Sequence, residues 1–135
     1  MQWSDRYSTG LERLDGQHKM LFRMSEDYRE ALREGHGERM YGVMLNALER
    51  YAKAHFGLEE QCMYRYRCPA GKQNADAHAG FIKALAGFHD RYSSGGYSRD
   101  EALRLVDYVD QWLADHIGRI DTQLKPLVAD GQLNP

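Results

Sequence analysis

Cysteine occurs only twice in the 135 residues, at Cys62 and Cys68. That count excludes a disulfide framework, and neither residue has the companions or spacing of a thiolate zinc site. Both read as reduced thiols, one in a helix and one in a loop. Proline is confined to Pro69, Pro126 and Pro135, never inside a long periodic segment. Valine appears only at positions 43, 106, 109 and 128, so the β-branched enrichment that marks strands is missing. No apolar stretch approaches the roughly 20 residues that span a bilayer, which excludes a membrane helix. No run of Lys or Arg makes a basic patch, and the formal charge is −2, so nucleic acid is not the default partner. The opening MQWSDRYSTG is polar and aromatic, unlike a signal peptide, which predicts a cytoplasmic location.

What is present describes one globular domain over residues 1–135, with 42% apolar and 28% charged residues. Four segments carry the helical period. The first runs from about Asp15 to Glu34, with Leu14, His18, Leu21, Phe22, Ser25, Tyr28 and Leu32 in line. The second runs from about Glu38 to Arg65, with Met40, Met44, Ala47, Leu48, Tyr51, His55, Leu58, Glu59 and Cys62 on one face. The third runs from about Lys72 to Tyr92, carrying Asn74, His78, Phe81, Leu85 and Phe88. The fourth begins near Arg99 behind a Ser98 cap and carries Leu105, Val109, Trp112, Leu113, His116 and Ile120. A short fifth helix is expected around Thr122–Ala129. Short connections predict an all-α, up-down-up-down antiparallel four-helix bundle, with the first fifteen residues as a non-helical arm along it.

Each stripe holds a polar group that apolar packing does not need. These are His18, His55 with Glu59, Asn74 with His78, and His116; Asp121 follows five residues after His116. Taken singly, each histidine reads as a satisfied core residue, and H-x-x-x-E recurs by chance on exposed helices. Coincidence across four inward stripes is what needs explaining. Two carboxylates among four imidazoles cannot share a dry interior unless something pairs them all. Two divalent cations bridged by Glu59 and Asp121, with a hydroxide or oxide, come close to neutrality. The mixed nitrogen and oxygen donors suit iron, and also manganese or zinc. His36 and His89 fall off the stripes and read as solvated residues.

The blocks WSDRYSTGLERLDGQHKMLF, HFGLEEQCM, HAGF and WLADHIGRID together resemble the bacterial haemerythrins over nearly the whole chain. The resemblance implies a non-haem di-iron centre, Fe2+/Fe3+, that binds dioxygen. It implies His18 and His55 on the iron with the open site, His78 and His116 on the other, and Glu59 and Asp121 bridging both. Leu21, Phe56, Trp112, Leu113 and Ile117 would line the oxygen pocket. One position departs from the family. Asn74 stands where relatives place a histidine, so the normally saturated iron loses a strong donor. Asn74 is then a weak ligand, or water fills its place, or the amide only bonds a bound water. Carriage, storage or sensing of dioxygen with faster autoxidation is the expected outcome. A di-iron oxidoreductase acting on peroxide or nitric oxide, and an iron- or oxygen-responsive module with a separate protein partner, are the alternatives.

Overall fold

Left-handed glycines punctuate the periodic segments. Gly35 (φ 83°) follows the first helix and Gly96 (φ 77°) the third. In a computed structural model describing residues 2–130, the segments become α1 (Glu12–Arg33), α2 (Gly37–Arg65), α3 (Gly71–Gly95), α4 (Arg99–Arg119) and the short α5 (Leu124–Ala129). There is no strand among the described residues. Helix α1 packs on α2 and α4, α2 on α3, and α3 on α4. With turns this short, neighbours run antiparallel and the bundle is up-down-up-down. No helix among the described residues is long and apolar enough to cross a membrane.

Several boundaries and faces differ from the sequence expectation. Helix α1 starts three residues early, at Glu12, because Asp15 takes the arm's donors. It accepts from Thr9 N, Thr9 Oγ1 and Ser8 Oγ, each at 2.8 Å. The arm itself contains a 3-10 turn at Asp5–Tyr7, and Tyr7 is buried with its ring 5.4 Å from that of Phe22. Helix α3 continues through Ser93 and Ser94, where Ser94 Oγ donates to Asp90 O at 2.9 Å. On α2 the inward face is broader than one stripe. Met40 is exposed, and Ala47, Tyr51, Leu58 and Cys62 are half-buried, while Tyr41, Leu45, Ala52, Phe56 and Met63 are buried. The reason is that α2 contacts α1, α3 and α4, so a single line of residues cannot describe its buried surface. His36 is exposed as expected, but His89 is half-buried and its Nε2 has no hydrogen-bond partner among the described residues. Ser98 caps α4 as expected, accepting from Glu101 N at 3.3 Å. The C-terminal tail beyond residue 130 lies outside the described residues.

The core divides in two. A large apolar cluster holds Leu21, Phe22, Phe56, Phe81, Leu113 and Ile117 with the remaining bundle interior. A smaller one holds Leu14, Met63, Tyr66, Cys68, Ala70, Ile120 and Leu124. Between them, on all four helices, lies a polar layer. Along α1 the order is Leu14, His18, Leu21, and along α2 it is Phe56, Glu59, Met63. Ala70, Asn74, His78 and Phe81 follow one another into α3, and from α4 into the residue that caps it the order is Leu113, His116, Ile120. The helices therefore carry the polar groups to a single level and seal it above and below.

Candidate metal centre

Every polar member of that level is out of solvent. His18, His55, Glu59, Asn74, His78, His116 and Asp121 are all at most 3% exposed, a degree of burial that unpaired ionisable groups do not tolerate. Six of them come from the four long helices. The seventh depends on a break. Five residues of continuous helix would turn Asp121 about 140° away from His116. Instead α4 ends at Arg119, and Asp121 opens the following 3-10 turn, which brings its carboxylate back to the cluster.

The donor atoms form two groups. One contains His18, His55 and Glu59; the other contains Glu59, His78, His116 and Asp121. Each carboxylate offers one oxygen to each half. Glu59 Oε2 lies 2.9 Å from His18 Nε2 and 3.3 Å from His55 Nε2, while Glu59 Oε1 lies 2.9 Å from His78 Nε2 and 3.8 Å from His116 Nε2. Asp121 Oδ2 lies 3.2 Å from His18 Nε2 and Oδ1 lies 3.0 Å from His116 Nε2.

Asn74 belongs to the second half. The end of its amide is 2.8 Å from His116 Nε2, 3.0 Å from His78 Nε2, 3.0 Å from Glu59 Oε1 and 3.1 Å from Asp121 Oδ1. With Nδ2 inward, the amide donates into a cluster of acceptors. With Oδ1 inward, it adds an oxygen to a donor set already at ligand spacing. Neighbouring ligands at right angles on one metal, each about 2.0–2.2 Å from it, stand about 2.8–3.1 Å apart. The spacing and the imidazole–carboxylate chemistry of the residues both fit a pair of metal ions.

Electrostatics follow from this crowding. Burial opposes the imidazolium form of His18, but the Asp121 and Glu59 carboxylates overcome it and push its pKa up to about 9. The same balance pushes His116 up to about 9. Burial wins at His55, whose pKa is lowered despite Glu59. Burial also works against ionised Glu59, yet the surrounding imidazoles hold its pKa well below the ordinary carboxylate value. The metal-free cluster thus keeps protons where cations would otherwise sit.

Two further groups escaped the sequence reading. Gln17 Oε1 accepts from His55 Nδ1 at 2.6 Å, and Glu60 Oε2 accepts from His78 Nδ1 at 3.0 Å. Both acceptors hold the Nδ1 proton on the outer edge of the ring, so that Nε2 would be the nitrogen offered to a metal. Their signal was adjacency alone, since each is the chain neighbour of a predicted ligand.

The five residues expected to line an oxygen pocket pack beside this level. Leu21, Phe56, Leu113 and Ile117 are buried and Trp112 is half-buried, all against one apolar cluster. Phe56 stacks on the His78 ring at 3.8 Å and 6°, and Trp112 stacks on His116 at 4.3 Å and 11°.

Comparison with known proteins agrees with this geometry. A family model described as Hemerythrin HHE cation binding domain matches residues 9–128. The chain is 26% identical to a Bacteriohemerythrin of Pseudomonas aeruginosa, covering 88% of this chain and 75% of that protein. It is 24% identical to a Bacteriohemerythrin of Clostridium acetobutylicum, covering 85% and 91% respectively. A Stenotrophomonas maltophilia Bacteriohemerythrin is 26% identical, covering 85% and 72%.

Proposed function

From the premise that this chain belongs to the haemerythrin family, we propose that it is a non-haem di-iron protein that binds dioxygen, with one ordinarily imidazole position taken by Asn74. The observation that carries the reading is the pair of carboxylates, Glu59 and Asp121, each turned toward both groups of imidazoles. His18 and His55 would hold one iron. His78 and His116 would hold the other, with Asn74 Oδ1 as a weak and exchangeable donor. The iron pair, when bound, supplies the electrons for reversible dioxygen binding.

The chain's own residues supply the conditions. Leu21, Phe56, Leu113 and Ile117 keep the pocket apolar, and Trp112 closes it toward the surface. Stacking by Phe56 and Trp112 limits rotation of His78 and His116. Gln17 holds His55 in the tautomer that presents Nε2 inward. An amide oxygen in place of an imidazole leaves a position that water enters more readily, so faster autoxidation accompanies the binding. The same feature favours a second reading, turnover of peroxide, over passive storage. The location we propose is cytoplasmic.

The test is anaerobic loading with ferrous iron, followed by cycles of oxygen and argon. A visible absorption band that appears with oxygen and disappears on its removal supports binding. Irreversible bleaching with steady consumption of added peroxide favours the oxidoreductase reading. No oxygen-dependent absorption from an iron-loaded protein contradicts binding, and no consumption of added peroxide contradicts the second reading.

A further inference from the structure

We propose that Glu60 is a positioning residue that strengthens His78 as a metal donor and offsets the imidazole missing at Asn74. The proposal rests on the di-iron reading above and concerns what this chain adds to it.

The outer nitrogens of the four imidazoles are treated unequally. His18 Nδ1 and His116 Nδ1 have no hydrogen-bond partner among the described residues. His55 Nδ1 meets the neutral amide of Gln17 at 2.6 Å. His78 Nδ1 meets a carboxylate, Glu60 Oε2, at 3.0 Å. A carboxylate accepting at Nδ1 keeps that proton on the outer edge of the His78 ring, so that Nε2 would be the nitrogen offered to a metal. A charged acceptor also draws that proton outward and raises electron density at Nε2, which a neutral amide does far less. The strongest outer partner therefore backs an imidazole in the same half of the site as Asn74.

The architecture explains how one helix does both jobs. Glu59 and Glu60 are consecutive on α2, about 100° apart around the helix. Glu59 points into the cluster, and Glu60 comes round to the outer edge of the His78 ring on α3. Phe56, one turn earlier on α2, covers the face of that ring. The ring is thus held on its edge and its face by residues of a single helix. Arg67 and Lys72 line the same groove as Glu60, but Lys72 is engaged by Asp76 at 2.9 Å. The Glu60 side chain is 43% exposed, so water screens the interaction. We therefore expect the lower end of the loss seen when an outer partner of a metal ligand is removed, roughly tenfold in affinity.

The test is anaerobic Fe2+ titration against a competing chelator, on the full chain, for wild type, Glu60→Gln and Glu60→Ala. The series is repeated in an Asn74→His background. Circular dichroism of each metal-free variant checks folding, which a half-exposed position leaves intact. Co2+ absorption gives a spectroscopic readout that does not depend on oxygen chemistry. We expect the weaker of two iron-binding steps to fall about tenfold in Glu60→Ala and less in Glu60→Gln, which keeps an acceptor without the charge. We expect the Co2+ spectrum to shift in the same order, and the loss to shrink in the Asn74→His background. Wild type binding two irons with both variants within twofold of it overturns the proposal while leaving the di-iron reading intact. An equal loss in both backgrounds overturns the compensation for Asn74. Wild type binding no iron overturns the di-iron reading and this proposal with it.

Discussion

Removing the metal should lower the melting temperature. Glu59 belongs to both donor groups, so its neutralisation should remove most of the same stabilisation. A ligand that binds only the folded state adds about 4.1 kcal/mol at a free concentration 1,000 times its Kd. Unfolding entropy near 2.1 cal/mol/K per residue gives about 0.28 kcal/mol/K for 135 residues. One site saturated to that degree therefore shifts the midpoint by about 14 °C, and two sites at 100 Kd each shift it by about 19 °C. The opposing term is the proton occupancy described above, which lets the metal-free cluster retain part of its pairing. The assay is differential scanning calorimetry of the anaerobic ferrous protein, the chelated protein and Glu59→Gln, each with and without added iron. The expected result is an iron-dependent rise above about 10 °C in wild type and a rise below a third of that in Glu59→Gln. Equal midpoints for loaded and chelated wild type would refute the reasoning. So would a Glu59→Gln protein that keeps the whole shift, since among the described residues Asp121 alone would then be left to reach both halves.

Three other outcomes are expected. Asn74→His should slow autoxidation of the oxygenated protein several-fold, followed as loss of the oxygen-dependent band; an unchanged rate removes the role assigned to Asn74. In the chelated protein His18 and His116 have folded-state pKa values near 9, above the ordinary 6.5 of histidine. Their contribution is complete below the ordinary value and lost as pH rises through about 9. Metal-free protein should accordingly melt lower at about pH 9.5 than at about pH 7, and a flat profile over that window contradicts the assignment. Leu48→Ala, at a position with no exposure in the large apolar cluster, should cost about 2–5 kcal/mol in urea unfolding without changing iron stoichiometry. A smaller loss would mean the bundle collapses around the gap.

The bundle was legible because four stripes at helical spacing, broken by glycines, leave little choice of architecture. The convergence of the six candidate residues was legible for a different reason: ionisable groups in line with leucines demand a partner. Burial alone creates that demand, whatever the distances. Gln17 and Glu60 lie one residue away from such positions and escape it. Glu60 is half-exposed, so its position carries no cost that would flag it, and only the fold shows which imidazole edge it reaches. Nor does a linear stripe capture α2, where contact with three helices turns a line into a broad face and buries Tyr41, Ala52 and Phe56 beside the expected residues. The inward turn of Asp121 was only half legible. Its spacing from His116 was noted, but the chain break that makes the spacing work is a tertiary feature.

The central claim is that this polar level exists to hold two cations. Elemental analysis of the anaerobically reconstituted full chain, after removal of loosely bound metal, tests it most directly. The account predicts two iron atoms per chain. A well-folded chain that retains none would contradict it.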